Sequence, residues 1–311
     1  MTHSASLLSV TAASIDFQNP VILAAGTAAF GRELAGVMNI DALGGIVTKA
    51  VSPEPRKGAP APRVAEFEGG MMNAVGLANP GLEAVIRDDL PWLAQNVKQA
   101  RIIVNVVGST VDDFELVTRS LAEVAVVDAF ELNVSCPNTR AGGTEFGADK
   151  NTLTSLVSKC RAVTKKPLFV KLSPMLPDIA DTARAAVDAG ADGLTLVNTI
   201  PGLVVDVESK RPALGFGSGG ISGVGLLPVG ILAVWKVSRA VKVPLIGVGG
   251  IVKGTDVIQY LLAGASLVGL GTAALRDPKA PERIIRELTS WCSSHKVSSV
   301  ADLTGKLEWP S

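Results

Sequence analysis

Short apolar runs rich in valine, isoleucine and leucine recur along the 311-residue chain, and amphipathic stretches of helical length separate them. That alternation predicts parallel strands with crossover helices, because a parallel pair needs a long connection and a helix supplies it. The strand-like runs fall at 21–24 (VILA), 45–48 (GIVT), 101–106 (RIIVNV), 128–134 (DAFELNV), 168–172 (LFVKL), 193–198 (GLTLVN), 244–248 (PLIGV) and 266–270 (SLVGL). Eight is the number that closes a barrel, so the pattern predicts an α/β chain of the (β/α)8 kind, a TIM barrel spanning 1–311 as a single domain.

The intervening helices carry their own end signals. VDDFELVTRSLAEV follows Thr110, which stands at capping-box spacing from Asp113, with aspartate in place of the usual glutamate or glutamine. PDIADTARAAVDAG ends on Gly190, as a helix C-terminus should. Two stretches break the rhythm, 52–80 and 200–224; both are rich in proline and glycine and too long for ordinary barrel loops, so they are expected to be lids or site walls.

Composition narrows the class. Apolar residues are 47% of the chain, charged residues 19%, and there are 32 glycines, which fits a large core threaded by tight turns. Lysine plus arginine equals aspartate plus glutamate, so charge offers no footprint for nucleic acid or an anionic membrane. MTHSASLLSVTAAS lacks the basic start and apolar core of a secretory signal. The most apolar stretch, residues 223–235, is too short to span a bilayer and is broken by glycine and proline. A cytoplasmic protein is expected. Cys136, Cys160 and Cys292 are odd in number and widely spaced, which fits neither a disulfide framework nor a zinc or iron-sulfur site within this chain.

A barrel of this kind does its chemistry where the strands end at their C-terminal side. Those ends carry Gly26, Lys49, Asn105, Asn133, Lys171, Asn198 with Thr199, Gly249 with Gly250, and Gly271 with Thr272. Two lysines and three asparagines on one rim are costly to bury unless partnered, and they point to a polar, anion-tolerant ligand. GVGG (247–250) and GLGT (269–272) follow the seventh and eighth strands, where barrels commonly bind phosphate through backbone N–H groups; the alternative is that these glycines only permit turns. Either lysine alone could snorkel to solvent, but cations beside an electron-accepting ring would stabilise the negative charge that develops on reduction. FMN meets both demands, with its phosphate at the glycine pairs and its ring near the lysines.

Cys136, in NVSCPNT (133–139), has three readings: a packed small residue, a covalent nucleophile, or a general base. Its place beyond the strand, beside proline and asparagine, disfavours the first. His3 and His295 lie near the termini, outside the strand-end set, which disfavours a histidine-assisted nucleophile. A thiol with a reference pKa of about 8.5 can take a carbon-bound proton if nearby cations or amide donors lower it.

The motifs KAVSPEPRKGAPAPR, GMMNAVGLANPG, NVSCPNT followed by GGTEFG, VKLSP, LVNT, GGISG, GVGGI and GTA occur in that order. In them the chain resembles the class 1B dihydroorotate dehydrogenases, catalytic FMN subunits of bacterial pyrimidine biosynthesis, from about Ile15 to Pro278. The resemblance implies oxidation of dihydroorotate to orotate, with Cys136 taking the C5 proton while hydride passes from C6 to flavin N5. It implies that Ala25, Lys49, Ala50, Asn105, Asn133, Lys171, Val197, Gly223, Gly249, Gly250, Gly271 and Thr272 hold FMN. Lys49, Asn73, Ala74, Val75, Gly76, Leu77, Asn133, Asn198 and Thr199 would hold the pyrimidine. Ala25 stands where the family usually has a flavin-contacting serine, so that hydrogen bond must be lost or come from the backbone; Ala59 replaces the family's usual asparagine and Ala78 its usual glutamine, and none of the three removes a catalytic group.

The resemblance also implies a second subunit carrying FAD and a [2Fe-2S] cluster to pass electrons to NAD. A homodimer is expected, with no segment marking its interface. The rival readings are a related FMN barrel acting on uracil-type dihydropyrimidines, a flavin-free lyase or isomerase binding a sugar phosphate, and a non-catalytic binding subunit.

Overall fold

The computed structural model describes residues 7–135, 137–138 and 144–310. Eight parallel strands close into a barrel in chain order: β1 (Val21–Leu23), β2 (Gly45–Val47), β3 (Arg101–Val106), β4 (Ala129–Asn133), β5 (Leu168–Leu172), β6 (Gly193–Leu196), β7 (Leu245–Val248) and β8 (Leu267–Leu270). Each falls inside a predicted run, trimmed by up to two residues. Closure is made by β8 against β1, with Val268 opposite Val21. Nearly every strand residue is buried, because one face lines the barrel interior and the other meets helices. The runs are therefore continuous rather than alternating.

The outer layer consists of α1 (Leu90–Asn96), α2 (Val111–Leu121), α3 (Lys150–Ala162), α4 (Ile179–Asp188), α5 (Leu227–Ser238), α6 (Gly254–Ala263), α7 (Thr272–Arg276) and α8 (Ala280–Ser294). The Thr110 side chain accepts from Asp113 N–H, and the Asp113 carboxylate accepts from Thr110 N–H, so the expected capping box is formed. At the end of α4, Gly190 N–H donates to Val187 O and Ala191 N–H to Ala186 O, which closes the helix where the glycine predicted. Phe114, Val117 and Leu121 form the buried stripe of α2, three and four residues apart as a helix requires.

The strand-and-helix rhythm departs from expectation at the first crossover. Between β1 and β2 the chain makes separate turns and a single 3-10 turn, Ile40–Ala42, instead of an α-helix. The segment Arg32–Gly36 contributes one residue, Leu34, to the core, and Ala29 and Gly31 just before it have φ of +46° and +91°. Phe30, Leu34 and Met38 still reach the core, but the left-handed backbone at Ala29 and Gly31 interrupts any continuous right-handed helix there.

The two proline- and glycine-rich stretches meet above the strand ends. Together they build one antiparallel sheet in the order Ile200–Gly202, Gly219–Gly223, Gly70–Asn73, Val64–Phe67. Gly220 lies opposite Asn73 and Gly223 opposite Gly70, while Ile200 faces Ile221. Since one stretch follows β2 and the other follows β6, this sheet ties opposite sides of the rim.

Candidate active site

Buried polar side chains gather where the strands end. Thr48, Asn105, Glu131, Asn133, Ser135, Lys171, Ser173 and Thr195 are all buried. Such a cluster is costly unless its members satisfy one another or a ligand. Much of it is self-satisfied. Asn198 Nδ2 donates to Ser135 Oγ at 2.6 Å, and Ser135 Oγ donates to Asn133 Oδ1 at 3.0 Å. This chain of bonds fixes the two asparagines relative to each other across the ends of β4 and β6. Thr199 N–H in turn donates to Asn198 Oδ1 at 2.8 Å.

A second group lies one layer deeper. Glu131 Oε1 accepts from Asn105 Nδ2 at 2.7 Å, Oε2 accepts from Thr195 Oγ1 at 2.7 Å, and Lys171 Nζ is 4.0 Å from Oε1. Asn105 Oδ1 is buried and has no hydrogen-bond partner among the described residues. Lys171 is only 6% exposed, and among the described residues this ion pair is the single polar contact of its ammonium. An unmatched acceptor and an under-used ammonium, both buried, fit a planar ligand that brings donors and acceptors along its edge. Lys49 is half-buried at the end of β2, with no carboxylate or hydrogen-bond partner for its ammonium among the described residues.

The glycine pairs also fit a bound group. Gly249 and Gly250 follow β7 with φ of +129° and +74°, and a Cβ built on Gly250 would stand 2.4 Å from Leu227 N. Only glycine gives both that backbone turn and that close approach. Beyond β8, Thr272 Oγ1 donates to Ser222 Oγ at 2.7 Å, which sets Gly271 and Thr272 beside the strand that ends at Gly223. A Cβ at Gly271 would find only Thr27 Oγ1 within 4 Å, so the space next to this backbone is open. Val197 is buried directly after β6, with its N–H donating to Val248 O.

On the rim sheet, Asn73 is half-buried and its Nδ2 donates to Gly220 O at 3.4 Å. Ala74 N–H donates to Arg63 O, and Ala59 N–H to Val75 O, so the run 73–77 is laced to the preceding loop through backbone. The Ala59 departure does not break that lacing. Ala50 is buried beside Lys49, whereas Ala25 is half-buried next to Gly26, whose N–H donates to Thr48 O. Gly76 is exposed and Leu77 has φ +57°, at the far end of the same loop.

Cys136 lies outside the described residues. Of its described neighbours in sequence, Ser135 is buried, and Pro137–Asn138 form a two-residue strand that pairs antiparallel with Thr144–Glu145. Burial pushes the Glu145 carboxyl above its ordinary range, opposed by the hydrogen bond it accepts from Ser173 Oγ at 3.1 Å. Cys160 and Cys292 are free and buried within α3 and α8, and burial pushes the Cys160 thiol up to about 12. Neither has the character of a reactive thiol.

The strand-end reading overlooked Glu131, Thr195 and Ser135. Glu131 was legible in principle: ELN places it two residues before Asn133, hence on the same face of the strand, and it is the charged residue inside β4 itself. Ser135 and Thr195 carried no signal beyond being small and polar.

Comparison with known proteins places the chain among enzymes. The family model described as dihydroorotate dehydrogenase matches residues 7–291. A protein of Pelobacter propionicus named dihydroorotate dehydrogenase B (NAD(+)), catalytic subunit, is 44% identical over 301 residues, covering 97% of this chain and 98% of that protein. Proteins of the same name from Geobacter sp. strain M21 and Citrifermentans bemidjiense are each 42% identical over 301 residues with the same coverage.

Proposed function

With this chain a member of the dihydroorotate dehydrogenase family, we propose that the mouth of its barrel holds FMN and oxidises (S)-dihydroorotate to orotate in pyrimidine biosynthesis. The observation that carries the reading is the pair of neighbouring polar groups at the strand ends. The Asn198–Ser135–Asn133 chain is oriented by its own hydrogen bonds, whereas Asn105 and Lys171 beside it keep unmatched acceptor and donor capacity among the described residues.

Asn105, Asn133, Lys171 and Val197 would lie along the flavin ring, with Ala25, Lys49 and Ala50 at its other edge. Gly223, Gly249, Gly250, Gly271 and Thr272 would take the phosphate through backbone N–H groups and the threonine hydroxyl. When bound, FMN supplies the two-electron acceptor for hydride leaving C6.

The remaining work falls to side chains of this chain. Asn73, Asn133, Asn198 and Thr199 offer amide and hydroxyl groups that match the alternating donors and acceptors of a pyrimidine edge. Lys49 offers its ammonium to the substrate carboxylate and the nearby ring edge. The run Ala74, Val75, Gly76 and Leu77 covers the substrate from the rim sheet. Cys136 takes the C5 proton as its neighbour C6 loses hydride, leaving the C5–C6 double bond of orotate.

The relatives are named as catalytic subunits of an NAD(+) enzyme. By analogy, electrons would leave this chain for a partner subunit carrying FAD and a [2Fe-2S] cluster before reaching NAD. The described residues include no helix long and apolar enough to cross a membrane.

Titration of the purified protein with FMN, followed by turnover with an artificial acceptor, tests the assignment. The expected result is one FMN per chain and turnover of dihydroorotate well above that of dihydrouracil. Turnover of dihydrouracil alone would overturn the substrate, and failure to bind FMN would overturn the cofactor.

A further inference from the structure

Glu131 sits mid-strand on β4, 1% exposed, and its carboxylate reaches the three strands on either side of its own: Asn105 on β3, Lys171 on β5 and Thr195 on β6. Burying a carboxylate costs several kcal/mol even after relaxation, and an ion pair at 4.0 Å does not by itself make the barrel more stable than apolar residues of similar volume would. Stability alone therefore gives no account of this group.

Its hydrogen bonds dictate the orientation of Asn105. A carboxylate only accepts, so Asn105 must turn its NH2 towards Glu131, which leaves Oδ1 as the unpartnered atom. The site thus presents an acceptor at that point, suited to an N–H of a bound ring. The second consequence concerns charge: Lys171 would by itself put a full positive charge beside the ring, and Glu131 offsets it.

We propose that Glu131 is a positioning residue for the flavin. It holds Asn105 with its acceptor towards the ring, and it offsets Lys171 so that the bound flavin is less easily reduced than the lysine alone would make it. This rests on the FMN reading above. The residue touches neither the substrate nor the reacting atoms; it acts through Asn105 and Lys171.

The test is a redox titration of FMN-loaded protein against a reference dye, comparing the parent with Glu131→Gln and Glu131→Asp, alongside the FMN dissociation constant and thermal midpoint of each. As a general scale, one unit charge acting over about ten ångströms at an effective dielectric near 20 changes an equilibrium by about tenfold. Glu131→Gln is expected to raise the ratio of reduced to oxidised flavin about tenfold at a fixed dye potential. Glu131→Asp keeps the charge but is one methylene shorter. It is expected to hold that ratio near the parent's while weakening FMN binding about tenfold, the worth of one charge-assisted hydrogen bond.

If both variants melt lower but leave the flavin ratio and FMN affinity within about twofold of the parent, Glu131 is only a strut and the inference falls. Should Glu131→Gln fail to fold, the Asp variant decides through FMN affinity, and an unchanged dissociation constant overturns the proposal. A parent protein that binds no FMN defeats the cofactor reading before any variant is compared, and this inference with it.

Discussion

At the scale of single residues, the account rests most heavily on Cys136. Replacing it with alanine is expected to cut dihydroorotate turnover by about 10²- to 10⁴-fold, the usual worth of a positioned base, while FMN stays bound. Cys136→Ser should be similarly slow at neutral pH, because a hydroxyl is a far weaker acid than a thiol and is rarely free as the base. Turnover retained in the alanine variant would remove the thiol from the mechanism. Glu145, which pairs with Pro137 on the short antiparallel ladder, gives a pH signature. Its folded-state pKa is raised by burial, so its contribution to stability is full at low pH and is lost as pH rises through that value. Glu145→Gln should therefore melt about 1–3 °C above the parent at pH 8 and no higher than it at pH 4, a comparison that thermal melts at the two pH values would make directly.

Part of this residue-level picture was legible in the sequence. The rim asparagines and lysines announce themselves because each ends an apolar strand. Glu131 is harder to place, since its meaning depends on Asn105 and Thr195, which lie 26 and 64 positions away in sequence and meet it only once β3, β4, β5 and β6 lie side by side in the barrel. The Asn198–Ser135–Asn133 chain is non-local in the same way. Single polar residues can be read from a strand, but a hydrogen-bond network cannot be read before the strands are paired.

At the scale of elements, the strands and the ends of α2 and α4 follow from local chemistry: apolar runs, a capping box and a terminating glycine. Thr110→Ala should cost about 1 kcal/mol in denaturant unfolding through loss of that cap, with no effect on FMN affinity. The rim sheet was only half foreseen. The composition of residues 52–80 and 200–224 marked them as walls, but nothing local said that they pair with each other, because strands rich in glycine carry little pattern and their register depends on distant partners. Gly220 is where that pairing touches the site: a Cβ there would stand 2.0 Å from Thr199 Oγ1. Gly220→Val should displace Thr199 and raise KM for dihydroorotate about tenfold or more, with a much smaller change in FMN affinity. Equal losses in both would show that the sheet does not act on the substrate side in particular.

At the scale of the whole molecule, the closed barrel explains why residues from eight separate stretches can serve one ligand: every strand ends on the same face. Barrel closure was the most legible feature of the sequence, because eight apolar runs leave few other ways to bury their backbones. The first crossover was the exception, where left-handed backbone at Ala29 and Gly31 interrupts the helix. The isolated chain is expected to reduce an artificial acceptor with dihydroorotate but to reduce NAD only when an FAD and iron-sulfur partner subunit is added; NAD reduction by this chain alone would contradict the division of labour. The central claim is tested most directly by adding dihydroorotate to the FMN-loaded protein under anaerobic conditions and following the visible flavin absorbance. The account predicts stoichiometric bleaching with formation of orotate. Flavin that stays oxidised in the presence of dihydroorotate, or that bleaches only with dihydrouracil, would contradict it.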